Sequence, residues 1–217
     1  MRILVLGAGA IGGLLACQLA LGGHDVTLIA RPPLAEQIRR DGLMFVDDGD
    51  RHTVRNLTVV ESLDTFAPDA WSRPFDWVAL TVKAFDVAQA ADEIRAAFPV
   101  TPPVVTFQNG VGSEEAAAAA LGPEHVVAAS VTIPVTVPEP GQVVVRSSGG
   151  IGVAPYCDRR GRPTTAQAAG VVAQSMRAAR FKVREYADYR PMKWSKLLLN
   201  MSFDYRPMKW SKLLLNM

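Results

Sequence analysis

The chain has 217 residues, which at roughly 100–200 residues per domain allows one domain and a fragment of another. Hydrophobic residues make up 49% and charged residues 20%, which excludes a disordered tail. Lys and Arg (23) nearly balance Asp and Glu (21), and a net charge of +2 argues against the concentrated basic patch of a nucleic-acid binder. Ile3–Leu6 is a short apolar run that reads as a buried parallel strand. Gly7-Ala8-Gly9-Ala10-Ile11-Gly12 follows with G-x-G-x-x-G spacing, then a helix over Leu14–Leu21 stopped at Gly22-Gly23, then a strand over His24–Ala30. The apolar N-terminus also invites a signal peptide or a membrane helix with a G-x-x-x-G face, but the strand–turn–helix–strand context favours dinucleotide binding. Leu34–Arg40 reads as a short helix. Leu43–Val46 and His52–Val60 read as strands joined by the polar turn 47–50, which lacks the ligand spacing of a calcium loop. Asp76–Val82 is a further buried strand, Val87–Phe98 an amphipathic helix, Pro103–Phe107 a strand and Ser113–Leu121 an Ala-rich helix with Glu114 and Glu115 in its first turn. From His125 to Val153 the chain is β-rich, and its turns suggest antiparallel additions to the sheet. A helix over Thr164–Arg180, a short strand over Phe181–Glu185 and a helix over Met192–Met201 complete the order. The fold class is therefore α/β, a doubly wound Rossmann-type sheet with antiparallel additions.

The glycine motif assigns roles by physical need. Gly7 permits the tight turn, Gly9 lets the backbone approach a pyrophosphate, and Gly12 lets the helix pack closely on the strand. With Ala8, Ala10 and Ile11 they form the cofactor-binding turn, whose N–H groups and helix dipole favour phosphate. At the end of the second strand, where a carboxylate would hold a free ribose diol, stands Arg31. A guanidinium suits a 2′-phosphate, so the expected cofactor is NADP(H). Ligands of open α/β sheets sit beyond the carboxyl ends of the strands. Thr81-Val82-Lys83 and Gln108-Asn109-Gly110-Val111-Gly112 lie at such ends. Lys83 can meet an anion there, and Asn109 can bond a nicotinamide ribose or a substrate oxygen; the plainer alternatives are a loop lysine and an Asn-Gly turn. Lys196 and Asn200, four apart, share one face of the last helix. A buried lysine has a lowered pKa and makes a proton donor for a carbonyl receiving hydride, whereas a surface lysine on a basic helix would do nothing. His24, His52 and His125 show no ligand spacing, and Cys17 and Cys157 form neither a metal motif nor a disulfide framework. No metal is expected, and a reducing, cytoplasmic setting fits.

These signatures together resemble the ketopantoate reductase (2-dehydropantoate 2-reductase) family: GAGAIG at 7–12, Arg31, TVKAFD at 81–86, QNGVG at 108–112 and WSKLLLN at 194–200. The resemblance implies NADPH-dependent reduction of ketopantoate to pantoate, on the route to pantothenate and coenzyme A. It implies Lys196 as the general acid, Asn200 as the residue that orients substrate, and Asn109 and Lys83 as lining the cofactor and substrate cleft. The implied partner is a small 2-keto acid, with no nucleic acid and no membrane; a homo-oligomer is compatible with it. The family continues into an all-helical C-terminal domain, so the expected organisation is an NADP-binding domain over 1–187, the truncated start of the helical domain over 188–201 and a tail over 202–217. Residues 188–201 and 204–217 read the same, DYRPMKWSKLLLNM, and the second copy repeats the lysines and asparagine as Lys209, Lys212 and Asn216. A duplication or frameshift in the gene, or a sequence artefact, fits this better than a repeat architecture; the alternative is a real tail that pairs with a partner or touches a membrane surface weakly, and Pro207 would break the two copies into separate helices. The alternatives are a non-catalytic NADP(H)-binding module or remnant, or a reductase of another 2-keto acid.

Overall fold

Short apolar runs alternating with helix-period segments fold as alternating strands and helices in the computed structural model, which describes residues 1–65 and 73–203. In chain order the first half contains β1 (Arg2–Leu6), α1 (Ala10–Leu21), β2 (Asp25–Ile29), α2 (Pro32–Asp41), β3 (Leu43–Asp47), β4 (Asp50–Val54), β5 (Leu57–Val60), β6 (Trp77–Leu80) and α3 (Val87–Ala97). The second half contains β7 (Val104–Thr106), α4 (Ser113–Leu121), β8 (Val126–Val131), β9 (Val135–Thr136), β10 (Gln142–Val145), β11 (Ile151–Pro155), α5 (Ala166–Ala178), β12 (Val183–Glu185) and α6 (Tyr189–Phe203).

An eight-stranded sheet runs β12-β11-β8-β7-β6-β1-β2-β5. Strands β5, β2, β1, β6, β7 and β8 are mutually parallel, with the order reversing at β1, as in a doubly wound dinucleotide-binding domain. Side-chain alternation builds a core on each face. Ile3 and Val5 join Leu14, Leu19 and Met176 of α1 and α5, while Leu4 and Leu6 join Ile94 and Leu121 of α3 and α4.

Four expectations need correction. The run His52–Val60 is two strands, not one: β4 pairs with β3, and β5 joins the main sheet beside β2. Of the expected antiparallel additions only β11 joins the main sheet antiparallel, on β8, and β12 then pairs parallel with β11. Strands β9 and β10 leave that sheet and form a second one, ordered β4-β3-β10-β9. Finally, α6 begins at Tyr189, ahead of Pro191, because a proline in the first turn forfeits no intrahelical bond. The turn over 47–50 is the expected hairpin, with Asp48 and Gly49 both at positive φ between paired Asp47 and Asp50.

The second sheet explains the apolar N-terminus. Helix α1 lies between the two sheets, so Val143 of β10 reaches within 2.6 Å of where a Cβ on Gly13 would stand. A helix covered on both sides is apolar all round, and Leu14, Leu15, Cys17 and Leu19 are all fully buried. Among the described residues no helix is long and apolar enough to cross a membrane. The duplicated segment 204–217, with Lys209, Lys212 and Asn216, lies outside the described residues.

Candidate active site

The carboxyl end of β1 runs into the glycine turn, and three observations show what the glycines do. Gly7 takes φ +114, a conformation L side chains rarely adopt. A Cβ on Gly12 would lie 1.7 Å from the Gly7 carbonyl oxygen, so α1 approaches the strand more closely than any side chain allows. A Cβ on Gly9 would meet nothing within 4 Å, which leaves an open approach to the first turn of α1. The N–H groups of that turn have no helical partner and point outward, as phosphate binding requires. Thr81, just past β6, fastens the turn from beneath: its hydroxyl donates to the carbonyls of Leu6 (2.9 Å) and Gly7 (2.8 Å). Thr81 belongs to a motif visible in the sequence, but this bracing is visible only once β1 and β6 are paired.

Arg31 caps α2 at the end of β2, on the same sheet edge, with its side chain exposed. It lines an open cleft of about 610 Å³ with Pro33, Leu34, Gln37, Val137 and Glu139. Lys83 is exposed at the start of a short turn after β6, and Asn109 is exposed after β7. Gln108 ties these loops together, donating its side-chain amide to the carbonyls of Leu80 (2.9 Å) and Val82 (3.0 Å).

Helix α6 brings the lysine. It packs on β8 and β11 through Tyr189 and Met192, which join Ala128, Ala154 and Cys157 in a small apolar cluster. Lys196 then reaches the sheet edge, where its Nζ donates to Asn109 Oδ1 at 2.8 Å and to the carbonyl of Val131 at the end of β8. Burial, with a contribution from the Lys193 ammonium one turn back, lowers its pKa from 10.5 to about 8. The structure thus brings Lys196 and Asn109 into contact. Asn200 is exposed one turn further along α6.

Lys193 and Glu114 escape a reading by sequence. Glu114 is not an exposed first-turn acid of α4 but is fully buried, and Lys193 is 3% exposed. Lys193 Nζ pairs with Glu114 Oε1 at 2.8 Å and donates to the carbonyls of Gln108 (2.6 Å) and Ala129 (3.3 Å), so all three of its donors are used. Thr106 also donates to Glu114 Oε1, at 2.8 Å. The available signal was the three-residue spacing of Lys193 and Lys196, which puts both on one helix face. Among the described residues no group of three or more His, Cys, Asp or Glu side chains is placed to hold a metal ion.

The profile of the family described as ketopantoate reductase PanE/ApbA matches residues 3–157. A 2-dehydropantoate 2-reductase of Mesorhizobium japonicum is 37% identical over 114 residues, 51% of this chain and 32% of that protein. One of Pyrococcus horikoshii is 37% identical over 115 residues, 53% of this chain and 35% of its own. Among solved structures, a PanE/ApbA family ketopantoate reductase from Ralstonia eutropha superposes with TM-score 0.77 at 28% identity, over 92% of this chain and 61% of that one. A D-mandelate dehydrogenase solved with NADH and anilino(oxo)acetate shares the fold, with TM-score 0.72 at 21% identity, over 86% of this chain and 57% of its own. The matched region spans about a third of the length of the curated relatives and about three-fifths of the solved ones.

Proposed function

The chain belongs to the ketopantoate reductase family, and from that premise we propose that it supports NADPH-dependent reduction of 2-dehydropantoate to pantoate, with Lys196 as the proton donor. The observation that carries this reading is the Lys196–Asn109 contact at the carboxyl edge of the sheet, made by a lysine whose pKa is lowered to about 8.

The glycine turn fits a dinucleotide: its open face at Gly9 and its close packing at Gly12 are the features a pyrophosphate cradle needs. Gly7 to Gly12, with Ala8, Ala10 and Ile11, would hold the pyrophosphate, and Arg31 would meet the 2′-phosphate that distinguishes NADP(H) from NAD(H). Lys83 and Asn109 would line the nicotinamide side of the cleft. A bound reduced nicotinamide supplies hydride to the substrate's carbonyl carbon. Lys196 gives the proton that the substrate oxygen then needs, and below about pH 8 it carries that proton. Asn109 accepts from the Lys196 ammonium and holds it at the cleft, while Asn200 would reach the substrate from the next turn of α6. We infer further that residues 188–201 open a second, helical unit following an NADP-binding unit over 1–187. The free, buried thiols of Cys17 and Cys157 support a reducing, cytoplasmic setting.

The test is NADPH oxidation by the chain with 2-dehydropantoate. Lys196→Ala is expected to lower kcat by about 10²–10⁴ while leaving the Kd for NADPH unchanged. Tight NADPH binding with no turnover by the unaltered chain would instead identify a cofactor-binding module, and turnover of other 2-keto acids alone would reassign the substrate.

A further inference from the structure

Lys193 and Lys196 step along the sheet edge as two rungs. Lys193 takes the Gln108 and Ala129 carbonyls; three residues on, Lys196 takes the Asn109 side chain and the Val131 carbonyl. Each lysine therefore spans the same two elements, the turn after β7 and strand β8, one step apart. The first rung is closed by a carboxylate that the fold has buried completely, Glu114. Burying both charges is costly, and such a pair seldom adds stability over an apolar one, so stability alone does not account for it.

We propose that the buried Lys193–Glu114 pair is a positioning device for Lys196: it seats α6 on the turn over 108–112 and keeps a cation one helical turn behind the proton donor. The proposal rests on the reading of Lys196 given above. The pair works in two ways. Glu114 is at the start of α4, directly after the turn that carries Asn109, so the ion pair locks α6 to the segment that Lys196 must meet. Glu115 repeats the attachment, accepting from the Tyr189 hydroxyl at 2.8 Å. The Lys193 ammonium also disfavours a second positive charge nearby, and this acts in the same direction as burial to lower the pKa of Lys196. Strands β7, β8 and β11 carry no ionisable side chain and Asn109 is neutral. The carboxylates of Glu114 and Glu115 on α4 oppose the Lys193 ammonium, but Glu114 is paired with Lys193 and Glu115 accepts from Tyr189, and Lys193 is the charge that lowers Lys196.

Lys193 alone cannot be removed cleanly, because Glu114 would be left buried and unpaired. The informative variant is Lys193→Met/Glu114→Gln, which removes both charges and keeps the volumes. The measurement is an NMR titration of the chain labelled at the lysine ε-carbon, which reads Lys196 without any need for turnover. In the unaltered chain the Lys196 midpoint is expected near 8. In the double variant it rises, because Lys193 is the charge of the pair that lowers Lys196, while burial keeps it below the ordinary lysine value, and the alkaline limb of kcat/KM moves up with it. Thr106→Val disturbs the same network without changing its charge and leaves the midpoint in place. Should the double variant fail to fold, Lys193→Gln/Glu114→Gln removes the same charges and keeps polar partners. A midpoint unmoved by the charge-free pair, or moved equally by Thr106→Val, overturns the proposal. Full activity of Lys196→Ala would leave that midpoint result intact and would refute the assignment of the proton donor instead.

Discussion

Lys196 and Arg31 are both cations at the carboxyl edge of the sheet, and their surroundings suit them to different partners. Lys196 is half-buried beside the Lys193 ammonium, which favours giving up a proton, while its bonds to Asn109 and Val131 hold it in place. Arg31 is exposed, with a rigid fork of donors and a charge that persists at any physiological pH. Arg31→Ala is expected to weaken NADPH binding by about tenfold or more, the worth of charge-assisted hydrogen bonds to a phosphate. NADH binding should change little, and paired fluorescence titrations of the two cofactors read the difference. Equal losses for both would remove Arg31 from the 2′-phosphate. At this scale the sequence was legible where a residue's place follows from its neighbours in the chain, as with Arg31 directly after β2. Glu114 was not legible, because its burial depends on Lys193, which arrives from a helix far along the chain.

The β1–α1–β2 unit was readable because turn, helix and strand follow one another within the motif itself. Its physical reason is most direct at Gly12, where the missing side chain sets how closely α1 lies on the strand. Gly12→Ala places a methyl group against the Gly7 carbonyl and the Thr81 hydroxyl, so the turn must open. NADPH binding is expected to fall by at least about a hundredfold, since a displacement near 1 Å is enough to spoil a bound geometry. Gly9→Ala, where a Cβ meets nothing within 4 Å, should instead fold normally and lose affinity only when phosphate is present to clash with it. Thermal unfolding without cofactor separates the two variants. The β4–β5 division was not legible, since His52–Val60 alternates acceptably as one strand. Only sheet membership shows that the chain leaves one sheet at Val54 and enters another at Leu57. The destination of β10 is hidden for the same reason: its partner β3 is distant in sequence, and their pairing depends on α1 lying between the sheets.

Across the whole molecule, the groups proposed for cofactor and substrate come from the ends of β1, β2, β6 and β7 and from α6, and all lie on one edge of one sheet. A ligand that bridges them couples elements from both ends of the chain. Saturation with NADPH at about a hundred times its Kd is expected to add about 3 kcal/mol, which raises Tm by roughly 5–10 °C for a chain of this size. A calorimetric scan with and without cofactor reads it, and no shift would contradict dinucleotide binding at this edge. The exposed Trp194, Leu198 and Met201 on α6 leave that helix with apolar surface beyond its seat on β8 and β11. The central claim is that Lys196 delivers the proton, and the dependence of kcat/KM on pH tests it most directly. Because the lysine must be protonated to act, and its pKa in the free chain stands at about 8, kcat/KM should be level below that value and fall with rising pH above it, towards tenfold per unit. A kcat/KM that stays level through pH 9.5, or one whose alkaline limb persists unchanged in Lys196→Ala, would contradict it.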